Sequence, residues 1–181
     1  DLPATVETVG NYAFRGCAKA TALSLKEGLT SIGVKAFYFC KALEGDLVIP
    51  EGVTSLSAGI FYNAYALTSI TIPDTVTSMD ANGDQFANCT AVTSVTLSKN
   101  LAELPKTAFF TCKSLKHLPD LSNVTSVGTS CFAGCAGLEE MVIPESLTFV
   151  GTNAFARSSL TEITVLGDPT GLDSAFYNSL N

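Results

Sequence analysis

Six cysteines, one histidine and seventeen carboxylates are the residues of this chain that could bridge, ligate, attack or exchange protons. Five of the cysteines, Cys17, Cys40, Cys89, Cys112 and Cys135, stand three residues after a phenylalanine, and Cys131 stands directly before Phe132. Thiols at one recurring position are candidates for pairing, Cys17–Cys40 or Cys112–Cys135 for example, if neighbouring units stack within the Cα separation of about 4.4–6.8 Å that a disulfide spans. Side chains in such a ladder point the same way, so bridging needs local rotation. The same slot holds Ala64, Ser158 and Ser179 elsewhere, which marks it as a slot for small residues. Buried free thiols are therefore the expected state. A straight row of thiols with no converging histidine does not make a tetrahedral metal site.

Asp80-Ala-Asn82-Gly-Asp84 alternates oxygen ligands like the start of a calcium loop. The match then fails, with Gln85 where a glycine belongs and Ala91 where a bidentate glutamate belongs. A polar turn absorbing an insertion is the expectation, with Asp80, Asn82 and Asp84 kept as a weak calcium candidate. Any Ser-His-Asp or Cys-His arrangement would have to use His117, the single histidine, and no nucleophile is fixed beside it. Phosphate loops, His-x-x-x-His pairs and dinucleotide fingerprints are absent. The expectation is a protein without catalytic residues or cofactor. Glu27, Glu51, Asp74 and Glu145 recur at one position, shared with Ala4, Lys99 and Ser122. Like charges about 5 Å apart must be solvated, so these form a polar rim able to steer a basic partner.

The spacing of the phenylalanines says what must position these groups. Phe14, Phe37, Phe61, Phe86, Phe109, Phe132, Phe155 and Phe176 are separated by 23, 24, 25, 23, 23, 23 and 21 residues. A period of that length marks a solenoid, in which each unit buries its apolar side only against its neighbours. The rest of the repeat moves with the ring. An aliphatic triplet such as Leu67, Ile70, Ile72 is followed by a frequent proline (Pro50, Pro73, Pro144). A pair such as Val76/Met79 comes next, then often a glycine that leads back to Ala-Phe. Ser69-Ile70-Thr71-Ile72 alternates and is β-branched, so it predicts a half-buried strand that the proline ends. A unit of this length has no room for a βαβ crossover of about 30 residues. Strands one repeat apart should stack in parallel at about 4.8 Å, and seven coils would build a slab about 35 Å long. The Gly-to-Cys stretch predicts a short turn, helical or 3₁₀. The ladder phenylalanines are core; Phe39, Phe110 and Phe149 lie off it and become contact candidates wherever they are exposed.

Leu67-Thr-Ser-Ile-Thr-Ile-Pro73 and Ser31-Ile-Gly-Val-Lys-Ala-Phe37 resemble the BspA-type leucine-rich repeat, and the resemblance runs from about Leu2 to Tyr177. It implies one leucine-rich-repeat-like right-handed coil over residues 1–181, of seven to eight repeats, with a parallel β-sheet on one face and short turns on the other. Residues 167–181 form a degenerate terminal repeat. Repeat three lacks its cysteine and repeat four carries the insertion. Members of that family are typically secreted or surface-anchored proteins of anaerobic bacteria and parasitic protists, several of them adhesins. The resemblance thus implies a secreted or cell-surface adhesion module.

At 46% hydrophobic and 15% charged, the chain can bury a continuous core. No apolar run reaches the length of a membrane helix. A net charge of −7 argues against nucleic acid and anionic membranes as partners. Asp1 begins directly in a repeat, Leu2-Pro3 aligning with Ile72-Pro73, as in a mature or trimmed fragment of a longer precursor. Binding is expected on the strand face, with Ser69, Thr71, Ser94, Thr96, His117, Glu140, Glu162 and Thr164 as the contact residues. Ala22/Ser24, Asp46/Val48 and Pro119/Val142 complete the outward positions. The partner expected is a host or cell-surface protein, with a glycan as the second possibility, and the chain is expected to be a monomer. Alternative readings are a structural spacer of a larger surface protein or a carbohydrate-binding solenoid. The strip carries no aromatic anchor, and Tyr12, Tyr38, Tyr62, Tyr65 and Tyr177 flank the turns instead, making the turn side a rival surface.

Overall fold

The aliphatic triplet of each repeat builds the longest strands, because alternate β-branched and leucine side chains pack inward while their neighbours face out. The computed structural model describes residues 2–179 and contains twelve strands in chain order. They are β1 (Thr8–Val9), β2 (Ser31–Ile32), β3 (Glu44–Val48), β4 (Ser55–Leu56), β5 (Ala66–Thr71) and β6 (Ser78–Met79). Next come β7 (Ser94–Thr96), β8 (Glu103–Leu104), β9 (Ser126–Val127), β10 (Glu140–Ile143), β11 (Phe149–Val150) and β12 (Glu162–Val165). Every pairing is parallel and joins strands one repeat apart. The molecule is a parallel β-solenoid of about seven turns, and its one helical element among the described residues is a 3₁₀ turn at Leu172–Ser174.

Two such ladders run along the coil. One joins β3, β5 and β7, with Asp46 beside Ser69 beside Ser94, and resumes as β10 beside β12. The other consists of two-residue strands built from the second aliphatic pair: β1–β2, β4–β6 and β8–β9–β11. In the latter, the residue entering the core is aliphatic (Val9, Ile32, Leu56, Leu104, Val127, Val150), and the residue before it faces out. Threonine hydroxyls reinforce this edge, Thr125 donating to the Ala102 carbonyl (3.1 Å) and Thr148 to that of Thr125 (3.0 Å). The glycine after the pair is set by close approach: a Cβ on Gly33 would lie 2.5 Å from the Asn11 backbone nitrogen.

The turn around each phenylalanine is a third hydrogen-bonded ladder. Alternate N–H groups donate to the next coil: Lys35 to Ala58, Phe37 to Ile60 and Phe39 to Tyr62, at 2.9–3.0 Å. The N–H groups between them close local turns, as from Tyr38 to the Lys35 carbonyl and from Cys40 to that of Phe37. The alternation requires positive φ two residues before and two after the ring: Lys35 and Phe39, Thr107 and Thr111, Asn153 and Arg157. The stretch is therefore a chain of overlapping turns and not a helical turn.

These three ladders enclose one column of stacked rings. Consecutive members from Phe14 to Phe176 lie nearly parallel with centroids 5.0–6.0 Å apart. The widest step, 6.0 Å, separates Phe61 from Phe86, the pair whose intervening repeat carries the insertion. Phe37 and the five rings from Phe61 to Phe155 are buried.

Candidate functional site: the strand face and its groove

The outward register is as expected on either side of one irregular coil. Asp46, Val48, Ser94 and Thr96 are exposed and Ser69 and Thr71 half-buried, on a regular three-stranded platform. Asp46 accepts hydrogen bonds from the hydroxyls of Ser69 (2.6 Å) and Thr68 (3.0 Å). Those bonds hold its carboxyl below the usual range. Glu140, Val142, Glu162 and Thr164 face out from β10 and β12.

The coil after Phe109 breaks the ladder. Its apolar triplet is Leu115, Leu118, Leu121, so the third member comes one residue later than Ile72 or Ile143 in their repeats. A one-residue slip exchanges the two faces of a strand. Accordingly Pro119, at an outward position by the repeat, is buried, whereas Asp120, at the core position, is exposed and Leu121 is buried. This corrects the expectation that Pro119 faces outward. Proline also has no N–H to give to a neighbouring strand. The segment joins neither β7 nor β10, and a groove of about 410 Å³ opens beside it, with a smaller hollow of about 220 Å³ against β7.

Four of the eight strand-face residues expected to make contacts, His117, Glu140, Glu162 and Thr164, line the larger groove. Of the others, Thr96 borders the smaller hollow and Ser69, Thr71 and Ser94 lie on the adjoining platform. His117 Nδ1 stands 3.8 Å from Glu140 Oε1, both largely solvated. Such an exposed pair contributes little to stability. Asp120 Oδ1 accepts the Ser122 N–H at 2.9 Å, which lowers the carboxyl's pKa. With Asp120, Glu140 and Glu162 in its lining against the single His117, the groove carries excess negative charge. Its floor is apolar, from Leu118 and Met141.

The remaining candidates sit apart from this groove. Asp80 Oδ1 accepts from both nitrogens of Asn82 (2.9 and 3.0 Å), so the DxNxD stretch closes on itself as a turn. No cluster of three or more His, Cys, Asp or Glu able to hold a metal forms among the described residues. All six cysteines are free; Cys17 is exposed and the other five are buried. Burial pushes the Cys40 thiol up to about 11 and those of Cys89 and Cys135 to about 12. Glu27, Glu51, Asp74 and Glu145 are all exposed, and Lys99 in the same slot reaches Asp74 at 3.8 Å. Off the ring column, Phe110 and Phe149 are exposed and Phe39 half-buried.

Charge is sorted between the faces. Arg15, Lys19, Lys35, Lys41, Lys106, Lys113 and Arg157, seven of the ten basic residues, lie in the phenylalanine turns, against Asp80, Asp84 and Asp173 among the carboxylates. Over the first three coils the turn edge is also aromatic. Tyr38 stacks on Tyr62 (4.8 Å) and packs against Phe39 (4.6 Å). Arg15 lies 5.7 Å from the Tyr12 ring and 5.6 Å from that of Tyr38, with Lys35 5.2 Å from Tyr38 and Lys41 5.3 Å from Phe39. The tyrosine spacing pointed to this edge, but the cation stacking was not apparent from the one-dimensional pattern.

The profile of the BspA type leucine rich repeat region matches this chain in six copies, over residues 1–83 and 54–181. Among solved structures, a leucine rich cell surface protein from Faecalibacterium prausnitzii A2-165 is 25% identical, with a TM-score of 0.70 over 99% of this chain and 56% of that one. A leucine-rich repeat protein from Bacteroides ovatus ATCC 8483 is 23% identical, with a TM-score of 0.79 over 97% of this chain and 43% of that one. The leucine rich repeat protein of T. pallidum is 23% identical, with a TM-score of 0.74 over 86% and 74% of the two chains. The last two likenesses show the fold. This chain thus spans about half the length of the first two structures. No curated protein matches it. No described helix is long and apolar enough to cross a membrane.

Proposed function

The chain belongs to the BspA-type leucine-rich repeat family, and from that premise we propose that it is a non-enzymatic protein-interaction and adhesion module of a secreted or cell-surface protein. Repeat families of this kind are generally non-enzymatic, and one similar structure is a cell surface protein. The observation that carries the reading is the groove beside the broken coil, a concave site on the strand face lined by His117, Glu140, Glu162 and Thr164. Solenoids use such extended faces for partners. The apolar floor and acidic rim favour a protein segment that brings an apolar side chain next to a basic one. The platform residues Ser69, Thr71, Ser94 and Thr96 would continue the contact with hydroxyls. We take the partner to be a host or cell-surface protein, the chain to act as one monomeric solenoid over residues 1–181, and the stretch from 167 to serve as its terminal repeat.

The test is saturable binding of the purified chain to an array of extracellular-matrix proteins and glycans at physiological salt, beside a variant carrying His117→Ala, Glu140→Ala and Glu162→Ala. Binding to an arrayed protein that the variant loses by about tenfold or more supports the site. Silence from folded protein across the array would turn the reading to a structural spacer. Capture of glycans alone would turn it to a carbohydrate-binding solenoid.

A further inference from the structure

The turn edge of the first three coils has features that strand-face recognition does not use. In a chain of net charge −7, Arg15, Lys35 and Lys41 gather on one edge without a carboxylate partner among the described residues. Each lies over an aromatic ring at 5.2–5.7 Å, a distance at which a cation is attracted to the ring face. Arg15 touches two rings, Tyr12 and Tyr38. A guanidinium held in this way has already lost part of its rotamer freedom, and its N–H fork remains available for bidentate bonds to a carboxylate. Tyr12 and, two coils on, Tyr65 are exposed. Tyrosine and arginine are the residue types that concentrate binding energy at protein interfaces.

We propose that this edge is a second interaction surface, one that takes a short carboxylate-rich segment of a partner protein. Charge complementarity sets the sign of the partner, and two observations set its class. Tyr38 has Tyr62 stacked on it and Arg15 and Lys35 against it, so this central ring offers no open face on which a sugar could lie. The basic patch is also short. The next turn along the coil carries Asp80 and Asp84, which interrupt the basic edge before Lys106 and Lys113, and a long anionic polymer would run onto those carboxylates. A few carboxylates on a peptide fit the available cations without meeting that repulsion.

The experiment is fluorescence anisotropy of a short labelled poly-glutamate peptide titrated with the full chain at low and at physiological salt. Saturable binding is expected, weakening with salt. It should fall by about tenfold or more in an Arg15→Gln/Lys35→Gln/Lys41→Gln variant, and be unchanged by the His117, Glu140 and Glu162 substitutions. Near-ultraviolet circular dichroism establishes that the glutamine variant retains its tyrosine packing, and Arg15→Lys, which keeps charge but loses the fork, should bind at an intermediate level. The idea is overturned by absence of saturable peptide binding, by equal binding to the glutamine variant, or by binding of a heparin fragment in place of the peptide. Because one set of substitutions lies in the phenylalanine turns and the other on the strand face, failure here leaves the strand-face reading standing, and failure there leaves this one.

Discussion

Cys40, Cys89, Cys112 and Cys135 each direct a thiol at the carbonyl of the phenylalanine one ladder step back: Phe14, Phe61, Phe86 and Phe109, at 3.1–3.5 Å. Ser179 does the same to Phe155, at 2.5 Å. The slot is thus small and, in most repeats, a donor, which accounts for the exchange of cysteine with serine that the sequence displays. It also makes the thiols structural. A thiol reagent at mild pH should modify Cys17 at once and the other five only on unfolding; early modification of Cys112 or Cys135 would contradict the buried ladder. Truncation of Phe109 to Ala, in the middle of the ring column, should cost about 3–5 kcal/mol in a urea titration. The thiols also set an alkaline limit. Their folded pKa values lie above the ordinary 9.0, at about 11 for Cys40 and about 12 for Cys89 and Cys135. Their contribution is therefore intact below pH 9.0 and is lost as pH rises through that window, because there the unfolded chain gives up protons that the folded chain keeps. Urea midpoints measured across it should fall with pH. In Cys89→Ser, whose hydroxyl does not titrate, they should fall less steeply, and parallel slopes for the two proteins would rule the mechanism out.

At the scale of the element, the period and the alternation of Ser69-Ile70-Thr71-Ile72 were enough to place the long ladder and its register. They were silent on the other two ladders for different reasons. A two-residue strand such as Ser31–Ile32 is too short for any alternation to appear. The turn ladder rests on φ signs, hinted at by Gly16, Gly59, Gly134 and by Asn63, Asn88 and Asn153, but hidden by Lys35, Phe39 and Thr107 at equivalent positions. The groove could have been read from the displaced leucine at position 121, because the register argument needs only the spacing of apolar residues. Restoring the consensus with Pro119→Thr, Asp120→Leu and Leu121→Pro should return the coil to the sheet. Hydrogen exchange would show the amide at position 119 newly protected, and strand-face binding would decline; an unprotected amide would mean the slip has another cause. The insertion is equally constrained. At Gly83 (φ +77°) a Cβ would lie within 1.9 Å of the Lys106 carbonyl oxygen, so Gly83→Ala should destabilise the chain by about 1–3 kcal/mol.

On the scale of the whole molecule, the solenoid separates charge as well as layers. Basic residues concentrate along the turns and carboxylates along the strand faces, so two partners of opposite charge could be held at once by a domain that need not change shape. That arrangement was present in the sequence, but it became visible only once each repeat had been wound so that its strand and its turn lay on different sides. The family and the fold were legible because repetition multiplies a weak motif. The candidate site was legible in part, because its groove opens at the coil that departs from the motif, where the outward positions Pro119 and Val142 no longer share a face. The most direct test of strand-face recognition is hydrogen–deuterium exchange of the chain with and without the matrix protein that it captures most tightly. Slowed exchange concentrated in the segment around His117 and in β10 and β12 is the predicted result. Protection confined to the phenylalanine turns, with the groove unchanged, would contradict it.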